Sequence, residues 1–125
     1  MKKIWAVILL SFFLIGCVQP MTRAEVEAAT YEPLPQNYKD EIKQIMTYRL
    51  KDAESAKYNF FEPRKGYTAS TRHFGYVVPV GINAKNSYGG YTGFQVYYFV
   101  YYQNMFKDVT DGVQLGAVKW SEDVR

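Results

Sequence analysis

"TGFQVYYFVYYQ", residues 92–103, decides the fold. Phe94, Val96, Tyr98, Val100 and Tyr102 alternate with Tyr97, Phe99 and Tyr101, which is the period of an extended strand. Both sets are large, so the stretch is expected to be a central strand with both faces partly covered. Left bare, it would be the segment most prone to aggregate. Just upstream, "HFGYVVPVGINA" at 73–84 alternates too. Phe74, Tyr76, Val78, Val80 and Ile82 share one face; Gly75, Val77, Pro79, Gly81 and Asn83 share the other. Pro79 lacks the N–H a ladder needs, which predicts a bulge there or an edge position for the strand. Between the two strands, "NAKNSYGGYTG" (83–93) breaks the alternation, and Gly89, Gly90 and Gly93 permit positive φ. Two strands with a Gly-rich connection predict an antiparallel hairpin with a wide loop.

Before the hairpin, "NYKDEIKQIMTYRLK" (37–51) predicts a helix. Tyr38, Ile42, Ile45, Met46 and Leu50 fall on one stripe at helical spacing. Asn37 is placed to cap it, Asp40 and Glu41 sit in its first turns and Arg49 and Lys51 in its last, as the helix dipole favours. A short strand is expected at 58–62, ended by Pro63 and the Arg64-Lys65-Gly66 turn, with 67–72 as loop. "KDVTDG" (107–112) supplies another turn, and a last strand is expected near 113–120. The predicted fold is α+β: one N-terminal helix packed on an antiparallel sheet of about four strands. The expected divisions are 1–16, 17–36, 37–120 and a frayed tail at 121–125.

The chain starts "MKKIWAVILLSFFLIGC". Lys2 and Lys3 precede an apolar run at 4–16, the layout of a secretory signal. A spanning helix needs about 20 apolar residues, and this run is shorter. Leu14, Ile15, Gly16 and Cys17 resemble the lipobox of bacterial lipoproteins, in which the cysteine thiolate takes a diacylglycerol and the preceding small residue admits the signal peptidase. That resemblance implies cleavage before Cys17, diacylglycerol and palmitate-class acylation there, and a membrane anchored by covalent lipid. More than one acyl chain makes such an anchor stable. Val18 in place of aspartate after the cysteine favours the outer membrane under the enteric sorting habit, with the domain in the periplasm. Residues 18–36 carry Pro20, Pro33 and Pro35 and are expected to form a tether. Within it, Thr22 and Glu25 have capping-box spacing that allows a helical turn over 23–29. As a flexible coil the tether would span roughly 20–30 Å.

Composition narrows the function. Loss of Lys2 and Lys3 with the signal lowers the formal charge from +3 to +1. A nucleic-acid binder would show a basic stripe, so no nucleic-acid partner is expected. Cys17 is the only cysteine, so once acylated it leaves no thiol for disulfides, zinc or catalysis. All 12 tyrosines lie beyond residue 30; they suit half-buried strands or an aromatic binding surface. His73 is the only histidine. A Ser-His-acid centre would need it with Ser55, Ser70 or Ser87, and no nucleophile-elbow pattern surrounds any of them. Asp108 and Asp111 lack the alternating ligands and distal Glu of a calcium loop. No catalytic residue, metal or cofactor is expected.

The loop at 83–93 has two readings. In one, Asn83 and Asn86 hydrogen-bond their own backbone and the loop only turns the chain. In the other, Asn83, Asn86, Tyr88, Gly89, Gly90 and Tyr91 form a contact surface for an extended peptide or a glycan. The phosphate-loop pattern is absent. "LKDAESAKY" (50–58) followed by "NAKNSYGGYTG" resembles a family of small, mostly uncharacterised bacterial envelope lipoproteins, over about residues 37–105. The resemblance implies an envelope location and carries over no catalytic residue. The expected function is non-catalytic interaction with an envelope protein or surface component. The alternatives are a glycan- or peptidoglycan-binding module and, further off, a small hydrolase.

Overall fold

A computed structural model describes residues 19–124. Leu14, Ile15, Gly16 and Cys17 lie outside them. The chain is α+β and its sheet is antiparallel. The described elements are α1 (Arg23–Ala28), α2 (Tyr38–Thr47), β1 (Lys57–Phe60), β2 (Arg64–Thr68), β3 (His73–Asn83), β4 (Gln95–Tyr102), β5 (Met105–Asp108), α3 (Thr110–Gln114) and β6 (Val118–Trp120). The expectation of one N-terminal helix on about four strands is therefore corrected. The described residues hold three short α-helices, and the sheet has six strands in the order β5-β4-β3-β2-β6, with β1 also on β3.

β3 is the axis of the sheet. β4 pairs along one edge from Tyr76↔Tyr101 to Ile82↔Gln95. The other edge is shared: β2 pairs with the His73 end and β1 with the Asn83 end. Between Phe60↔Val80 and Arg64↔Val77, residues 61–63 stand opposite only Val78 and Pro79. That extra residue is a bulge, and it explains how a proline occupies a central strand. The Phe61 N–H donates to the Pro79 carbonyl at 3.0 Å, so the missing Pro79 N–H faces the same edge, where the ladder is already broken. The bulge expected at Pro79 belongs to the 61–63 segment opposite it.

Val78, Val80 and Ile82 of β3 and Phe99 of β4 form one core with Ile42 and Met46 of α2, and Tyr38, Ile45, Leu50, Tyr58, Phe60, Tyr97 and Phe106 pack around it. The stripe read from the sequence is thus the buried face of α2. A second cluster joins Met21 and Val26 to Tyr67, Phe74 and Val124. Strand alternation puts Tyr67 and Phe74 on the face that α2 covers. Tyr31 packs edge-on against Phe74 and at a tilt against Tyr76 on that face as well.

These contacts correct the tether. Thr22 and Glu25 do form a capping box on α1, but the segment is docked. Met21 and Val26 are buried, Glu25 pairs with Arg72 at 2.8 Å, and Tyr31 hydrogen-bonds Ser121. Hydrogen bonding from Arg72, then from the Thr22 backbone, holds the Glu25 carboxyl below its usual pKa. The tail is not frayed either as far as Val124: Glu122 pairs with Arg64, and Val124 packs on the second cluster.

Two strands overlap stretches expected to be turn or loop. Arg64–Thr68 is β2, fixed by Gly66↔Gly75 and its neighbours on β3; its charged start hides it locally. Met105–Asp108 is β5, joined to β4 by Gln103 and Asn104, both at positive φ (52° and 62°). That is the backbone of a primed two-residue hairpin turn made without the usual glycine. The strand expected near 113–120 shrinks to β6, because 110–114 coils into α3.

Candidate functional site

Residues 84–94 close the β3–β4 hairpin, and most of the predicted contact residues hold the loop in shape. The Asn83 Oδ1 accepts from the Gly93 N–H at 3.0 Å. The Asn86 Oδ1 accepts from the Tyr88 and Gly90 N–H groups at 2.9 and 3.1 Å, an Asx-type turn. Gly89 and Gly93 take positive φ, and Gly90 does not. Lys85 and Tyr91 bridge across the loop. The Tyr91 hydroxyl donates to the Ser55 carbonyl at 2.9 Å, with Lys57 and Lys85 over its ring at 4.6 and 5.5 Å. Lys51 reaches Ser87 at 2.9 Å. The loop is thereby tied to the connection between α2 and β1. Of the six candidates, Tyr88 alone projects freely, 97 % exposed at the tip.

The residues that follow extend this surface and were missed as site candidates. Phe94 is 56 % exposed and Val96 40 % exposed. Both belong to the sheet face opposite α2, where β3 offers only Gly81 and Pro79 beneath them. The signal was present in the sequence: Gly, Val, Pro, Gly and Asn on the second face of β3 cannot fill a deep core. Exposed aromatic and aliphatic side chains on a fixed frame, rimmed by Lys57 and Lys85, are the usual make-up of a protein contact surface.

Towards the His73 end the same face is different. α3 crosses it from β5 to β6, and beneath lies a cavity of about 160 Å³. Its walls include Val77, Val100, Val109 and Val118, with the paired Gly66 and Gly75 as floor, and Thr68, Thr71, His73 and Lys107 at the turn end. His73 stacks on Tyr102 at 4.5 Å. Ser55 donates to the Asp52 carbonyl and Ser87 is held by Lys51; both lie at the Asn83 end of β3, away from His73. Ser70 alone shares the turn before it.

Asp108 is a structural clip. Its carboxylate accepts from the Thr110 N–H (2.9 Å) and hydroxyl (2.6 Å) and from Arg49 (2.6 Å). Burial pushes its pKa up, but the Thr110 and Arg49 hydrogen bonds outweigh that and hold it below the ordinary value. Among the described residues, no group of three or more His, Cys, Asp or Glu is placed to hold a metal. Among them, too, no helix is long and apolar enough to cross a membrane. Comparison with protein-family models, with curated proteins and with solved structures returned no match.

Proposed function

We propose that this chain is a lipid-anchored bacterial envelope protein, anchored through Cys17 and acting by non-catalytic contact with another envelope or surface component. Tyr88 carries the reading: it stands fully exposed on a loop whose other candidate residues are engaged in holding it there. A large ring presented on a rigid frame loses little entropy on binding, which is why tyrosine is enriched at interface hot spots. Phe94 and Val96 widen the contact. A photo-crosslinking side chain at position 88 of the lipidated protein in living cells is expected to give one discrete adduct, diminished by Phe94→Ala. Adducts no different from those of a labelled Lys119 position would sink the idea.

A glycan- or peptidoglycan-binding module is the second reading, favoured by the same exposed ring. The amide oxygens of Asn83 and Asn86, however, already accept backbone hydrogen bonds, which leaves fewer acceptors for sugar hydroxyls. Pelleting of the protein with purified cell-wall sacculi, lost on Tyr88→Ala, would favour the glycan over the protein partner.

A further inference from the structure

We infer that the His73 end of the sheet rests on the lipid bilayer, so that the 84–94 loop is held at the far side of the domain. The inference rests on the lipoprotein reading of Cys17 and goes beyond it in fixing which surface meets the membrane. Cys17 stands four residues before Met21. Met21 is buried, packed on Tyr67 and Ala69 and touching Arg72 of the β2–β3 turn. Four residues reach at most roughly 14 Å even when fully extended. A lipid on Cys17 therefore cannot carry the domain far from the headgroups, nor let it turn freely.

The surface around that attachment suits a bilayer. The β2–β3 turn, the Gln103–Asn104 turn and residues 115–117 all meet at this end, because Thr68 pairs with both His73 and Val118 and β4 leaves the sheet at Tyr102. Leu115 is 84 % exposed and Met105 60 % exposed. Lys107 of β5, two residues after Met105, and Lys119 of β6 stand at opposite edges of the sheet, and neither enters an ion pair among the described residues. Exposed apolar side chains beside lysines are the footprint of a protein seated in the headgroup layer, where the apolar groups sink about 5–10 Å and the ammonium groups meet anionic lipid. β3 runs eleven residues away from this end, which at the rise of a strand sets the loop roughly 30 Å from the lipid.

The test uses the natural lack of other thiols. With Cys17 acylated, Leu115→Cys, Met105→Cys and Tyr88→Cys each give one labelling site, all at exposed positions. The full lipidated protein, labelled with an environment-sensitive fluorophore, is placed in vesicles of phosphatidylethanolamine and phosphatidylglycerol carrying brominated acyl chains. The expected result is strong quenching at 115 and 105 and none at 88. Intact mass is read on the same samples. A lipidated mass with quenching absent at 115 and 105, or equal at all three positions, overturns the docking and leaves the anchor standing. An unlipidated mass overturns the lipoprotein reading and the docking with it.

Discussion

The two faces of the sheet are made by the same central strands and have opposite characters. On one face Val78, Val80, Ile82 and Phe99 meet Ile42 and Met46 of α2, and all are buried. On the other, β3 presents Gly75, Val77, Pro79 and Gly81, and cover is partial: α3 crosses near the His73 end while Phe94 and Val96 stay exposed near the Asn83 end. Side-chain volume accounts for the difference. A face of branched and aromatic residues requires a helix over it to exclude water. A face of glycine and proline lets backbone and short side chains approach closely, and it leaves little for a second helix to bury. The faces are joined at the β5 edge, where Asp108 holds Arg49 after α2 and Thr110 at the start of α3.

The largest effect should come from the covered face. Phe99→Ala is expected to cost about 3–5 kcal/mol, since Phe99 is fully buried and its loss leaves a cavity. Phe94→Ala on the open face should cost under about 1 kcal/mol. Urea denaturation of both variants measures the gap, and equal costs would mean that the open face is covered in solution.

Along the open face, glycines should differ with position. A Cβ at Gly75 would lie 2.7 Å from the Tyr101 carbonyl oxygen and 2.8 Å from Val100. Gly75→Ala is therefore expected to destabilise by about 1–3 kcal/mol through overpacking. At Gly81 the nearest atom is the edge of Phe94, at 3.4 Å, and that ring is free to move outward. Gly81→Ala should shift the melting temperature far less; a drop as large as that of Gly75→Ala would contradict an open Asn83 end.

A smaller effect than that of Phe99→Ala or Gly75→Ala is expected at the Asp108 clip between the faces. Its folded-state pKa is depressed, so Asp108 contributes stability that is full above the ordinary carboxylate range and lost as pH falls through the folded value. Asp108→Asn should cost about 1 kcal/mol at neutral pH, discounted for partial exposure. It should also weaken the pH dependence of unfolding on the acid side. An unchanged acid limb in the variant would show that the clip does not couple the faces.

Much of this architecture was legible, for local reasons. Period-two alternation marked β3 and β4, helical spacing marked the buried stripe of α2, and Thr22 with Glu25 marked the cap of α1. What escaped had no local signature. β2 begins with two cations and holds a glycine, and only its pairing with β3 makes it a strand. β5 follows a Gln-Asn turn that the usual Asn-Gly or Asp-Gly signal does not cover. In the loop the residue types were read as a candidate surface, but side-chain chemistry alone could not separate Asn83, Asn86 and Tyr91, which hold the frame, from Tyr88, which projects from it.

By itself the sequence determined the α+β class, the central hairpin and the resemblance of Leu14–Cys17 to a lipidation signal, because each depends on residues close in the chain. Only the tertiary structure decided that residues 21–34 dock instead of trailing as a tether. Their partners, Tyr67, Phe74, Arg72 and Ser121, are distant in sequence. Burial of Met21 and Val26 depends on a surface that exists only once β2, β3 and β6 have paired, and a proline-punctuated stretch shows nothing of that surface in its own residues.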